Sequence, residues 1–379
     1  MELPATFRAF LVDHGIEQRV YDVSLTALPR YFRIKDSSVT VEQLQAEFPG
    51  VQPVPWLKSF YAVSSLDALS SSRLYTSAKI YGMEASSGFA VAMLDPQPGD
   101  HVLDLCCAPG AKLAMLADVL GRRGSITGVD YSKNRISACR SLLHKYDLVQ
   151  SLPDTPWRCR LFHADGRRFA EGTPTSSDPS AAVHDSVLDV ILDSAEVENR
   201  SKKSIARKRM NKSARARALK MQREASSTAT ASRLYDKVLV DAECTHDGSL
   251  RHLAKLTTAD AWQSYLENYL SPSHVAGILE LQHDLIRNGF RLLVPGGRMV
   301  YSTCSLSLKQ NEEIVAAFLK DTPSASLMPI DTTNVPCQPG NILHTVRFTP
   351  LHDIGGLFIA LFTKATDEAD VPAKRQKTE

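Results

Sequence analysis

Two cysteines stand where apolar runs end: Cys304 in Tyr301-Ser302-Thr303-Cys304-Ser305-Leu306, and Cys244 in Asp241-Ala242-Glu243-Cys244. A thiolate at such a place is a nucleophile, and a neighbouring carboxyl is a candidate proton donor. Upstream, Val102 to Asp104 leads into Leu105-Cys106-Cys107-Ala108-Pro109-Gly110-Ala111-Lys112, a strand that breaks into a Gly/Pro turn and then a helix. Small residues in such a turn let backbone amides approach a ligand, and the helix behind presents its positive end. A nucleotide-type loop combined with two strand-end thiols is the pattern of an enzyme that attacks a pyrimidine ring covalently. The bland alternative is a pair of buried, inert thiols. The side chains of Cys106, Cys107, Cys139 and Cys159 read as core.

Acids follow the loop at regular intervals. Asp130 closes Ile126–Val129, and Asp165 follows Trp157–His163. Open α/β sheets bind ligands at the carboxyl ends of their strands. There Asp130 is placed for ribose hydroxyls and Asp165 for an adenine amino group. The loop carries neither the G-x-G-x-x-G fingerprint of NAD nor a Walker sequence, which leaves S-adenosyl-L-methionine as the expected cofactor.

The elements that must position these residues alternate strand and helix, the pattern of a parallel sheet covered on both faces. Strands are expected over 101–106, 125–129, 157–163, 237–240 and 298–301, and helices over 112–121, 133–145, 274–293 and 311–320. Val346–Phe348 and Leu357–Phe362 read as a closing antiparallel hairpin. Residues 1–80 form a separate mixed segment, with a strand at Pro29–Ile34 and a short helix at Val41–Phe48. The main domain then spans 81–366. It is interrupted over 171–233 by a Ser/Pro-rich and then strongly basic stretch expected to be disordered, although Val187–Leu192 is apolar enough to pack. The tail, 367–379, is polar, with a basic Lys374-Arg375-Gln376-Lys377.

Composition is that of an ordinary globular protein, 43% hydrophobic and 23% charged, with net charge +2. No apolar run is long enough for a membrane helix, and Met1-Glu2-Leu3-Pro4 does not read as a secretory signal. Seven cysteines without framework spacing imply free thiols in a reducing compartment. Cys244, His246 and His252 are close in sequence, but no second ligand pair accompanies them, and no metal is expected.

These motifs resemble the Nop/Sun (Sun-domain) family of RNA cytosine carbon-5 methyltransferases. The likeness runs from Pro29-Arg30-Tyr31-Phe32-Arg33 through Tyr81–Gly88, the D-L-C-C-A-P-G-A-K loop and both cysteine segments to Leu357-Phe358-Ile359-Ala360. The family's E-N-E cluster is matched by Gln310-Asn311-Glu312. The resemblance implies a Rossmann-like class I methyltransferase core, an α/β fold with a seven-stranded, mostly parallel sheet, and a small N-terminal α+β RNA-binding region. It implies Cys304 as the nucleophile adding to carbon 6 of cytosine, and Cys244 as the cysteine that assists product release. Cys106, Cys107, Ala108, Pro109, Gly110, Ala111, Lys112, Asp130, Asp165 and Asp241 correspond to cofactor positions. Lys112 and Asp241 also correspond to groups near the cytosine. Arg135 matches a family arginine to which no role is given.

The chain departs from the family at Ala111, where a second glycine is usual, and at Glu243, where proline is usual. Ala111 is expected to be harmless unless that position needs a positive φ. Glu243 is read as loosening the loop, or else as bringing a second carboxylate to the ring. Thr245-His246-Asp247-Gly248-Ser249 replaces a common Ser-Gly. The expected function is methylation of carbon 5 of cytosine in ribosomal or transfer RNA, by a monomer or a transient pre-ribosomal component. An RNA-binding assembly factor without turnover is the alternative. The basic stretches point to nucleus or nucleolus, with cytoplasm second.

Overall fold

The alternating Arg30-Tyr31-Phe32-Arg33-Ile34 does form a strand, and the computed structural model shows what it is built into. The structure describes residues 3–24, 28–152, 155–174, 189–193 and 233–366. Two compact units emerge, Met1–Asp95 with Val238–Glu379, and Pro96–Lys237. The first opens with α1 (Ala5–Asp13), β1 (Arg30–Ile34), α2 (Val41–Glu47), β2 (Gln52–Pro53), β3 (Phe60–Val63), α3 (Arg73–Thr76), β4 (Ile80–Gly82) and α4 (Ala85–Leu94). Strands β2-β3-β1-β4 form an antiparallel sheet. Phe32, Leu44, Phe48, Val63 and Ile80 bury beneath it. Thr40 starts α2 with a reciprocal capping box to Gln43.

The second unit carries β5 (His101–Asp104), α5 (Ala111–Val119), β6 (Gly124–Asp130), α6 (Lys133–Lys145), β7 (Trp157–His163) and β8 (Asp189–Asp193). Strands β5, β6 and β7 are parallel, as their strand–helix alternation requires. Apolar residues on both faces of these strands, among them Val102, Leu103, Ile126, Val129 and Leu161, are buried. Strand β8 runs antiparallel to β7. It falls inside the 171–233 stretch expected to be disordered, so the apolar Val190-Ile191-Leu192 does pack there. The flanks of that stretch are joined, Thr173 N donating to Arg233 O at 2.9 Å. The basic run and the tail lie outside the described residues.

The chain returns to the first unit along β9 (Tyr235–Asp241). It continues through α7 (Leu250–Leu253), α8 (Ala259–Tyr269), α9 (Pro272–Arg291), β10 (Leu293–Thr303), α10 (Glu312–Asp321), β11 (Ala325–Leu327), β12 (Gln338–Pro339), β13 (Thr345–Phe348) and β14 (Leu357–Lys364). The seven expected sheet strands are all present, joined by β8, β11 and β12. The predicted hairpin pairs antiparallel, Thr345 opposite Ala360 through Phe348 opposite Leu357. Pro295-Gly296-Gly297, just past the helix expected over 274–293, lies within β10. Helices α1 and α8, both unforeseen, share one core in which Phe7, Leu11 and Tyr21 meet Trp262 and Tyr265. Among the described residues no helix is long and apolar enough to cross a membrane.

Candidate active site

In the second unit the cofactor loop leaves β5 and enters α5. Gly110 has φ +112°, and a Cβ there would stand 3.1 Å from the Cys139 Cα, so the turn demands glycine. Ala111 opens α5 and is absent from the residues of positive φ, so a second glycine is not required. Asp130, buried at the end of β6, braces the loop by accepting from Ala108 N at 3.1 Å and from Ser132 N at 2.8 Å. Each carboxylate oxygen keeps capacity for a further donor such as a ribose hydroxyl. Arg135, left without a role by the sequence, donates to Ala108 O at 2.9 Å and clamps the loop from α6. Cys107 N donates to Val129 O and Ala164 N to Asp130 O, which draws the ends of the three parallel strands together.

Asp165 follows β7 as expected, but both its oxygens meet the Arg167 guanidinium at 2.8–3.1 Å. That hydrogen bonding, against partial burial, holds the carboxyl below its ordinary range. Cys107 is buried, with its Sγ 3.9 Å from that of Cys139, and burial first pushes its thiol up. Cys106 is half-buried, Pro109 exposed, and Lys112 stands on the first turn of α5. An acceptor carboxylate, a loop of small residues and a helix start are the groups an adenosine-bearing ligand needs.

The first unit gathers the other predicted residues. Cys244 follows β9 and Cys304 follows β10, with their sulfurs 3.2 Å apart. Between them stands a residue that sequence reading had weighed only as a metal ligand. His246 Nδ1 lies 3.1 Å from Cys304 Sγ and 3.6 Å from Cys244 Sγ. Its Nε2 lies 3.2 Å from Glu243 Oε1. A tetrahedral zinc, at bond lengths of about 2.0–2.3 Å, would spread such ligand atoms further apart. The 3.1 and 3.2 Å separations are instead those of groups hydrogen-bonding one another. His252, the other ring noted in the sequence, is 5.9 Å from His246 between ring centroids.

Glu243 does not leave the loop loose. Its carboxylate holds His246, and its carbonyl accepts from Gln282 Nε2 at 2.8 Å. Asp241 Oδ1 accepts from Ser302 Oγ at 2.6 Å, tying the ends of β9 and β10. Beneath them lies a buried polar lattice. Asp247 accepts from Thr245 Oγ1, from Ser305 Oγ at 2.6 Å and from Leu306 N at 2.7 Å. Gln310 exchanges bonds with Thr245, Asn311 with Thr303 and Ser305, and Glu312 pairs with Arg347. The E-N-E-like cluster therefore fixes the cysteine loops. Further out, Tyr21 OH donates to Asp247 O and Leu308 N to His14 O, so residues after α1 brace the same loops.

The two thiols and the imidazole divide their protons unevenly. The hydrogen bond from Cys304, working against burial and helped by the charge of His246, brings the Cys244 thiol down to about 6. Cys304 is pushed up, first by that same bond and then by burial. Burial opposes the His246 cation, but Cys244 and then Glu243 outweigh it and raise the imidazole to about 11. These shifts favour one thiolate on the cysteine pair beside an imidazolium.

Residues 91–177 and 181–363 match the family described as 16S rRNA methyltransferase RsmB/F. The chain belongs to that family. It is 24% identical over 371 residues to the ribosomal RNA small subunit methyltransferase F of Erwinia tasmaniensis, covering 94% of this chain and 61% of the relative. The Salmonella agona enzyme of the same name is 25% identical, with 92% and 60% covered. The chain thus spans about three-fifths of the length of these relatives. A methyltransferase homolog from Pyrococcus horikoshii superimposes with TM-score 0.56 at 23% identity, covering 96% of this chain and all of that one. The Pyrococcus horikoshii protein NSun6, solved with SFG, gives TM-score 0.61 at 16% identity, covering 96% and 99%. These likenesses bear out the expected fold, a mixed α/β methyltransferase with a large, mostly parallel sheet. They overturn one expectation. The two ribosomal RNA methyltransferases named above are bacterial, so the nuclear or nucleolar placement drawn from the basic stretches does not stand.

Proposed function

We propose that this chain is an S-adenosyl-L-methionine-dependent methyltransferase acting on carbon 5 of cytosine in ribosomal RNA. The observation that carries the reading is the pair of thiols at the ends of β9 and β10, 3.2 Å apart, with His246 Nδ1 3.1 Å from the Cys304 sulfur. Family membership supports the methyl transfer and the ribosomal RNA, and the relative solved with SFG, an analogue of the methyl donor, supports the cofactor.

Carbon 5 of cytosine is too weak a nucleophile to take a methyl group unaided. Addition of the Cys304 thiolate to carbon 6 forms a C–S bond and pushes the ring electrons toward carbon 5. S-adenosyl-L-methionine, when bound, supplies the electrophilic methyl group. Asp241, fixed by Ser302, is the group assigned to hydrogen-bond the ring while charge builds on it. Removal of the carbon-5 proton then lets the C–S bond break and returns the Cys304 thiolate. Cys244 is the nearest base to that sulfur and is assigned this step, directly or through a water. A paired base must first leave its stack, so loops and single strands are the favoured targets.

The test is labelled methyl transfer to ribosomal RNA by the full chain, with denaturing gels to catch protein–RNA adducts. Wild type should label cytosine, Cys304→Ser should neither label nor form adduct, and Cys244→Ser should accumulate adduct. A Cys304→Ser variant that still methylates, or a folded wild type that binds RNA yet neither labels it nor forms adduct, would overturn the reading.

A further inference from the structure

The family pattern offers proline where this chain has Glu243, and a Ser-Gly where it has Thr245-His246-Asp247-Gly248-Ser249. Both departures meet at one place. The Glu243 carboxylate contacts one nitrogen of His246, and the other nitrogen faces both sulfurs, 3.1 and 3.6 Å away. The spacing is that of a Cys–His–carboxylate relay, in which an acid fixes the ring and the ring fixes a thiolate. His246 holds φ +57°, an uncommon backbone for a side chain of this size. That conformation belongs to the same short loop whose Asp247 is locked by three hydrogen bonds.

We propose that His246, oriented by Glu243, is a catalytic residue that serves as the permanent counter-ion of the Cys244–Cys304 pair. It holds one negative charge on two sulfurs and lets a single proton pass between them. This inference rests on the cytosine reading above and concerns its first step. The Cys304 S–H bond breaks and its proton joins the Cys244 thiolate, across 3.2 Å. The electron pair left on Cys304 faces His246 Nδ1 and is available to carbon 6. The imidazolium keeps its own proton throughout, so charge is conserved and no solvent base is needed to form the nucleophile; Cys244 then passes its proton to water before it takes the one from carbon 5.

The other groups around the ring do not supply this cation. His252, 5.9 Å away, is held toward its neutral form by its burial and then by the charge of His246. Tyr269 packs edge-on, at 6.2 Å between ring centroids. Burial pushes the Tyr265 hydroxyl up, so it stays neutral. Asp241 and Asp247 both face Cys304 with charge that disfavours its thiolate. Among these neighbours in the first unit, His246 alone offsets them.

The test needs neither RNA nor methyl donor. In the full chain, alkylation of Cys244 and Cys304 by iodoacetamide is followed against pH, resolved by peptide mass spectrometry. The midpoint is the proper readout, because a low-pKa thiolate is more abundant but less nucleophilic and the two effects partly cancel in a rate at one pH. The pair should titrate near 6 in wild type. In His246→Gln the midpoint should rise by about 2 units, toward that of a free thiol. Glu243→Gln should move it part of the way and lower kcat, with KM for RNA unchanged. His252→Ala should leave it in place. A folded His246→Gln protein with the wild-type midpoint would overturn the proposal, as would a His252→Ala shift equal to that of His246→Gln. Should His246→Gln misfold, Glu243→Gln with an unmoved midpoint and kcat would overturn the relay by itself. Loss of methylation in wild type would instead strike the cytosine reading and leave this titration intact.

Discussion

Gly248 and Cys304 are joined through their backbones: Gly248 N donates to Cys304 O at 3.1 Å, and Gly356 N in turn donates to Gly248 O at 3.1 Å. A Cβ at Gly248 would stand 2.4 Å from the Cys304 carbonyl oxygen, closer than any real contact. Gly248→Ala must therefore displace the loop that carries Cys304, the proposed nucleophile. Misplacement by about 1 Å costs on the order of 100-fold in rate. The expected result is kcat down by about that factor, with S-adenosyl-L-methionine binding by calorimetry unchanged. Near-normal kcat would show that the loop yields without moving Cys304.

Much of this site was legible from residue types. Strand-end cysteines and acids are visible because a short apolar run must stop where the chain leaves the core, and the residues at the stop face the ligand edge. His246 was not legible as a site residue. Its role depends on a loop folding back so that a ring two residues after Cys244 reaches Cys304, and a local pattern carries no such information. The signal available was the paired departure from the family at Glu243 and His246, which were read separately. Helices α1 and α8 were missed although each carries a pattern of its own: Phe7, Phe10 and Leu11 in α1, and Trp262, Tyr265, Leu266 and Tyr269 in α8, recur at helical spacing, and Thr258 caps α8. Asp165 was placed correctly along the chain, but its contact with Arg167 depends on side-chain geometry.

Gly110 sets the shape of the cofactor loop. Alanine at φ +112° costs about 1–2 kcal/mol in backbone strain, and its Cβ would press on Cys139 at 3.1–3.2 Å. Gly110→Ala should weaken S-adenosyl-L-methionine at least about tenfold, the equivalent of about 1.4 kcal/mol. Ala111→Gly, which restores the usual family residue, should change binding little because Ala111 opens a helix. Calorimetric titration of the two variants separates these outcomes. Equal losses would mean that the loop, rather than its φ, is at fault.

The Glu312–Arg347 pair is a structural wager of a different kind. Arg347 Nη2 contacts both Glu312 oxygens at 2.6–2.7 Å, its Nη1 donates to Leu306 O at 2.6 Å, and both side chains are less than one-tenth exposed. Removing one partner leaves the other charge buried, which costs about 3–5 kcal/mol. Glu312→Gln should lower stability toward that extent in urea unfolding. The double variant Glu312→Gln/Arg347→Met should recover part of the loss, since the orphaned charge is gone. No recovery would mean that the Leu306 contact matters more than the charge.

The ion pair at the thiols also predicts a pH signature for stability. In the folded chain Cys244 titrates near 6 and His246 near 11, against ordinary values of 9.0 and 6.5. The lowered thiol contributes stability that is present above 9.0 and lost as pH falls through about 6. The raised imidazole contributes stability that is present below 6.5 and lost as pH rises through about 11. Between 6.5 and 9.0 the folded pair holds one proton, on His246, and the unfolded pair also holds one, on Cys244. Equal proton counts mean zero slope there. Above 9.0 the unfolded pair has lost its proton while the folded pair keeps one, so stability declines with pH. The Tm difference between wild type and His246→Gln should therefore stay level from about pH 6.5 to 8, where the variant's own thiol begins to titrate, and shrink beyond. A difference that varies steadily across the level window would mean that the proton does not rest on His246.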